Sequence, residues 1–205
     1  MSREQLAFWV AVVANGVTFV QIMPQIVRLL RTGRTEGVSP TWAAAGMTIN
    51  LGWFTYVVEN GFWETIPSIF AAVSSFGLAL YLLYRNGADV RAGLLMSAVV
   101  AVASVGIQRA AGWTVLGTVL GLSNGLYLGP ALIAAWRVHV PVGVSSGTWW
   151  LTVLEGLKWG FYGVLVAAVP IVVYGSTAIL LAALVLLRLW LTRHRIAEAL
   201  GQTGR

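Results

Sequence analysis

The chain has 205 residues, of which 58% are hydrophobic and only 10% are charged. A soluble domain usually carries about 25% charged residues, so this composition indicates an integral membrane protein. The formal net charge of +6 does not indicate a nucleic-acid-binding protein, because the arginines are separated by apolar segments instead of sharing one polar face. With no cysteine and only two histidines, both beside arginines, we expect no metal site and no cofactor.

Seven apolar segments follow one another along the chain. A helix needs roughly 20 such residues to cross about 30 Å of hydrocarbon. The segments cover residues 5–27, 41–58, 66–84, 92–108, 113–136, 147–166 and 168–190, the fourth being the shortest. The sequence therefore predicts an all-α integral membrane protein with seven transmembrane helices.

The distribution of arginine predicts the orientation of these helices. If seven spans alternate, only Arg3 and Arg109 fall on one side of the membrane. The other side holds Arg28, Arg31, Arg34, Arg85, Arg91, Arg137, Arg188, Arg193, Arg195 and Arg205. Because positive charge collects in cytoplasmic loops, we expect the N-terminus outside and the C-terminus in the cytoplasm. A single lysine in a chain rich in Ala, Val, Leu and Arg indicates a bacterial genome, and hence a multi-pass protein of the cytoplasmic membrane.

Part of the sequence repeats at an offset of 106 residues, which falls to 103 after one short gap. The matched pairs are Pro24 and Pro130, Gly37-Val38-Ser39 and Gly143-Val144-Ser145, Trp53 and Trp159, Tyr56 and Tyr162, Pro67 and Pro170, Ser74 and Thr177, and Arg85 and Arg188. They predict a duplicated three-helix unit, although turn residues alone can make loops look alike. The predicted boundaries are 1–86 for the first repeat, 87–110 for a linker helix, 111–192 for the second repeat and 193–205 for a cytoplasmic tail. The unmatched linker would make the two halves parallel, an arrangement known in secondary transporters.

Pro24-Gln25, the basic loop after it, the Gly-Val-Ser loop and the Trp53-x-x-Tyr56 pattern together resemble the PQ-loop superfamily. The 3+1+3 layout resembles its SWEET branch of sugar transporters. The resemblance implies alternating access, with hinges at Pro24, Gln25, Pro40 and Pro130. Ser146 stands where a fourth hinge proline is expected.

The resemblance also implies that Trp53 and Trp159 flank a sugar, whereas an interfacial aromatic belt is the alternative. Asn50, Glu155 and Lys158 lie near the centres of their spans, where charge is costly and faces a partner or water. The two charged residues either pair with each other, bind a polar or charged substrate, or take up a proton. Ser68 follows Pro67 where SWEET proteins place a sugar-binding asparagine, and we expect it to replace that residue in part. The missing asparagine weakens the sugar assignment.

The chain contains no catalytic constellation, so we expect a transporter and not an enzyme. The predicted partners are the lipid bilayer and a small polar solute, with a sugar favoured. The alternatives are a proton-coupled carrier of amino acids or organic solutes, and a receptor or scaffold that transports nothing. In the fifth span a glycine occupies every fourth position, Gly117, Gly121, Gly125 and Gly129, which predicts close helix packing or, alternatively, a homo-oligomer face.

Overall fold

The computed structural model describes residues 1–33, 39–141 and 144–195. It is 88% helical and contains no strand in this part of the chain, which confirms the all-α prediction. The helices are α1 (Arg3–Thr32), α2 (Pro40–Asn60), α3 (Ile66–Arg85), α4 (Arg91–Leu122), α5 (Asn124–Arg137), α6 (Ser146–Leu165) and α7 (Val169–Leu191). A short 3-10 turn at Trp63–Thr65 precedes α3.

Serine side chains start α2 and α6 in the same way. The hydroxyl of Ser39 accepts a hydrogen bond from the backbone N–H of Trp42, and that of Ser145 accepts one from Thr148, each at 3.4 Å. These donors belong to first turns, which have no partner inside the helix. Pro40 occupies the first turn of α2, where a proline loses no helical hydrogen bond. The serines of the two Gly-Val-Ser sequences therefore cap these helices, and Gly37, Val38 and Gly143 lie outside the described residues.

A single residue breaks α4 between predicted spans four and five. Gly112 has φ 81° and ψ 179°, a backbone conformation that glycine adopts without steric cost. Helical residues continue on both sides of it, and the predicted fifth span is interrupted again by a turn at Ser123 before α5. One glycine therefore provides the change in direction between these two predicted spans.

Three segments among the described residues are long and apolar enough to cross a membrane: Trp63–Arg85, Arg91–Arg137 and Val169–Leu191. The sequence predicted seven. In α6, the polar pair Glu155 and Lys158 and several Gly and Thr residues lower the apolar character. Small and polar residues are typical of helix faces that pack against other helices in a bundle.

Contacts divide the chain into two compact units, Met1–Leu120 (unit 1) and Gly121–Arg205 (unit 2). In unit 1, α3 packs against both α1 and α2, and these are the main helix contacts of that unit among the described residues. The ring of Phe76 on α3 lies against Gly46 and makes an edge contact with Trp42, with ring centroids 4.8 Å apart. The start of α4 lies alongside α2, where the Ser97 hydroxyl donates to the carbonyl of Ala44 at 3.1 Å.

In unit 2, α7 packs against both α5 and α6, so the third helix of each predicted repeat lies between the other two. The backbones of α6 and α7 approach very closely at glycines. A Cβ atom added to Gly175 would lie 2.5 Å from the carbonyl oxygen of Gly156 and 2.7 Å from the Cα of Gly160. A side chain at Gly175 would therefore force these two helices apart.

The glycine series in the fifth span behaves differently from the prediction. At Gly121 an added Cβ would lie 2.9 Å from the carbonyl oxygen of Pro170, so this glycine does allow a close approach. At Gly125 and Gly129 no described atom lies within 4 Å of that position. The closest helix contact of unit 2 is instead the one between α6 and α7. Spacing in the sequence identifies a helix face, but it does not identify the helix that covers that face.

Candidate functional site

The two tryptophans singled out by the repeat make the same contact in each unit. Trp53 meets Tyr56 edge-on, with ring centroids 5.5 Å apart and an interplanar angle of 85°. Trp159 meets Tyr162 at 5.8 Å and 87°. Residues three apart lie on one face of a helix, so each helix presents an ordered pair of rings. Trp159 is 7% exposed, so its ring is packed within unit 2.

A polar network on α6 surrounds Trp159. The Lys158 ammonium lies 2.6 Å from Oε2 of Glu155, and the two side chains are largely buried. The Trp159 indole N–H donates to Oε1 of the same carboxylate at 2.8 Å. The ammonium also lies 5.4 Å from the centre of the Trp159 ring, within the range of a cation–π interaction.

The two carboxylate oxygens of Glu155 have different partners. Oε1 receives a hydrogen bond from the indole, whereas Oε2 is shielded from solvent and forms a close ion pair with the Lys158 ammonium. Of the alternatives for Glu155 and Lys158, the structure contains their mutual pair. This pair holds a carboxylate and an ammonium side by side against an aromatic ring.

In unit 1, Asn50 and Ser68 are engaged in hydrogen bonds within the helices. The Asn50 amide donates to the carbonyl of Gly46, one turn earlier in α2, at 2.9 Å. Ser68 is buried, and its backbone N–H donates to Oδ1 of Asn15 on α1 at 3.0 Å. The Ser68 hydroxyl bonds to the same oxygen. The expected sugar-facing serine therefore joins α3 to α1.

Asn15 is a residue that the sequence analysis missed. Besides accepting from Ser68, its amide group donates to the carbonyl of Glu64 at 2.6 Å. It thus satisfies a backbone donor in the first turn of α3, which would otherwise be unpaired. An asparagine inside an apolar helix is a detectable signal, since a polar side chain there needs a partner.

Different residues occupy the positions in unit 2 that correspond to the Asn15–Ser68 contact. By the offsets of the repeat, Gly121 corresponds to Asn15 and Ile171 to Ser68. There, the backbone at Gly121 lies directly against Pro170. One unit joins the helices through a polar bridge and the other through close backbone packing.

The predicted hinge residues occupy different places in their helices. Pro40 is in the first turn of α2, and Pro130 lies inside α5, where it is exposed. Pro24 and Gln25 fall within α1, and their side chains lie outside the part of the structure that is described. The role of all four as hinges stays a prediction.

The structure thus brings three predicted site residues, Glu155, Lys158 and Trp159, into mutual contact in unit 2. In unit 1, Asn50, Trp53 and Ser68 each make separate contacts. No protein-family model matches this chain, and no curated protein matches it significantly. The fold and its apolar segments define an all-α protein with helices able to span a membrane.

Proposed function

We propose that the protein is a multi-pass membrane transporter that carries a small polar solute by alternating access between two three-helix halves. The observation that carries this proposal is the duplication. The same helix order, the same serine-capped second helix and the same Trp–Tyr edge contact occur twice, at the offsets found in the sequence. Duplicated bundles of this kind are a recurrent architecture of secondary transporters.

Seven spans are part of the proposal, and the helix pairing within each unit supports them. The Asn86 amide donates to the carbonyl of Gly33 at 2.8 Å, so α1 and α3 end at the same level. Arg188 donates to the carbonyl of Val138 at 2.9 Å, so the ends of α5 and α7 also meet. Alternating spans require each of these pairs of ends to share a side of the membrane.

The segment Arg91–Arg137 fits two crossings better than one. Its 47 residues would extend about 70 Å as one helix at 1.5 Å per residue, more than twice the hydrocarbon thickness. Gly112 divides it near the middle. We assign residues 91–111 to the fourth span and residues 113–137 to the fifth.

A sugar is the favoured solute because a flat indole packs well on the apolar face of a sugar ring, and each half presents a tryptophan held by a tyrosine. A proton-coupled carrier of amino acids or organic solutes is the second candidate. It is favoured by the shielded Glu155 carboxylate beside Lys158, which gives the helix one acidic and one basic group.

Uptake by proteoliposomes tests both candidates. Labelled glucose, labelled sucrose and a mixture of labelled amino acids are offered with and without an imposed pH gradient, and protein-free liposomes serve as the blank. Sugar equilibration that does not depend on the gradient supports a sugar uniporter. This equilibration should be lost in Trp159→Phe and kept in the control Trp190→Phe, whose ring is exposed. Amino-acid accumulation that needs the gradient and disappears in Glu155→Gln supports the second candidate.

Uptake no greater than that of the blank over a broad solute panel would overturn the transport proposal. A receptor or a scaffold would then be the better interpretation of the same bundle.

A further inference from the structure

Basic side chains gather where α5 and α7 of unit 2 end. We call this surface the basic end of unit 2 and define it by Arg137, His139, Arg188, Arg193 and Arg195. All except Arg188 are exposed. In the transport proposal this end lies at the cytoplasmic membrane surface, and the inference below rests on that orientation alone and not on solute transport.

Arg188 has a structural role at this end. Its Nε donates to the carbonyl of Ala135 at 3.3 Å, and its Nη2 donates to those of Val138 and His139 at 2.9 and 3.3 Å. Carbonyls at the end of a helix have no partner inside the helix, and the helix dipole favours a cation there. Arg188 therefore fixes the end of α5 and leaves a positive charge beside it.

Basic side chains at this end also lie close to one another or to aromatic rings. Nη1 of Arg195 lies 3.5 Å from Nε2 of His139, whose carbonyl is bound by Arg188. The guanidinium of Arg193 lies 5.0 Å from the centre of the Trp190 ring. That of Arg188 lies 5.6 Å from the Trp136 ring.

Acidic side chains do not offset this charge in the described part of unit 2. Over residues 121–141 and 144–195 the only acidic residue is Glu155, and it is paired with Lys158 on α6. Positive charge gathered at one end attracts anions. The two tryptophans indicate which anion, because exposed indole rings beside basic groups are typical of the headgroup region of a bilayer.

We propose that the basic end of unit 2 binds the headgroup phosphate of an anionic phospholipid. Arg137, Arg193 and Arg195 supply the charge, Arg188 holds the backbone on which they stand, and Trp136 and Trp190 lie at the depth of the lipid headgroups. Arginine suits this role because its planar guanidinium donates two parallel hydrogen bonds to phosphate oxygens.

Native mass spectrometry of the full-length protein in a neutral detergent tests this site. The protein is titrated with phosphatidylglycerol and, separately, with phosphatidylcholine, and the fraction that retains a lipid is measured. We expect a preference for phosphatidylglycerol. Removing one arginine near an anionic headgroup should weaken binding about five-fold, so Arg193→Gln/Arg195→Gln should weaken it roughly 25-fold.

The matched control is Arg31→Gln/Arg85→Gln, which removes the same charge from exposed positions at the ends of α1 and α3 in unit 1. It should keep the preference. Equal losses in the two variants would show diffuse attraction and overturn the site, as would equal binding of the two lipids by the unmodified protein. Displacement by an equal concentration of inorganic phosphate would also overturn it, because the site would then recognise phosphate and not a lipid. Each result is independent of transport, so this proposal and the proposed function fail separately.

Discussion

The ion pair of α6 offers the sharpest test of the structure. Glu155→Gln removes the negative charge while keeping the size of the side chain and the oxygen that accepts the Trp159 indole N–H. The Lys158 ammonium then loses its carboxylate partner at a largely buried position, since the side chains of Lys158 and Glu155 are 8% and 19% exposed. Breaking a buried pair by removing one partner costs about 3–5 kcal/mol. Because this pair is not fully enclosed, we expect the lower end of that range, about 3 kcal/mol.

Removing both charges should restore most of this loss. The double variant Glu155→Gln/Lys158→Met leaves no uncompensated charge, and replacing a buried ion pair by uncharged groups of similar volume is often neutral. The cycle formed by the two single variants and the double variant then isolates the pair energy. Because each single variant strands one charge and loses about 3 kcal/mol while the double variant loses little, we expect a coupling of about 6 kcal/mol.

The free energy of unfolding is measured in mixed detergent micelles by titration with a denaturing detergent, with helix content followed by far-ultraviolet circular dichroism. If Glu155→Gln stays within about 0.5 kcal/mol of the unmodified protein, the value typical of an exposed pair, the reasoning from burial is refuted.

Transport by the double variant then separates the two roles of the pair. A stable double variant that still carries solute shows a structural pair. A stable double variant that carries none shows that the charges serve transport.

Three further outcomes are expected. Gly175→Ala should lower the free energy of unfolding by about 1–3 kcal/mol, because its Cβ would meet backbone atoms of α6. Gly106→Ala is the control and should leave that free energy unchanged, since no described atom lies within 4 Å of its Cβ position. Thermal unfolding of both variants checks this. Asn15→Ala should cost about 1–2 kcal/mol and speed hydrogen exchange at the start of α3, since it removes the cap on that helix. Pro130→Ala should stabilise α5 yet slow solute uptake if the helix bends there; a faster or unchanged rate contradicts the hinge.

Features that depend on neighbours in sequence could be predicted. The spacing of Trp53 and Tyr56, repeated at Trp159 and Tyr162, fixes one helical face, and both pairs form as rings in contact. Glu155 and Lys158, three residues apart, likewise meet. Helical periodicity alone determines these contacts.

Features that depend on distant segments could not be predicted. Asn15 bonds to Ser68 across 53 positions of the chain, and nothing near either residue indicates that link. The glycine contact between α6 and α7 was likewise not predicted, because Gly175 is the single glycine of α7 and no regular spacing marks it. A glycine in a sequence shows that a close approach is allowed, and only the packed helices show whether one occurs.

The position of the third helix within each unit has a consequence for synthesis. Since α3 makes the main contacts of both α1 and α2, the first two helices leave the ribosome before their shared neighbour exists. At roughly 5–20 residues per second, that interval lasts a few seconds. Each half is therefore completed in one late step, when the last of its three helices arrives, and a chain interrupted before that helix would present two unsupported helices to the cell's quality control.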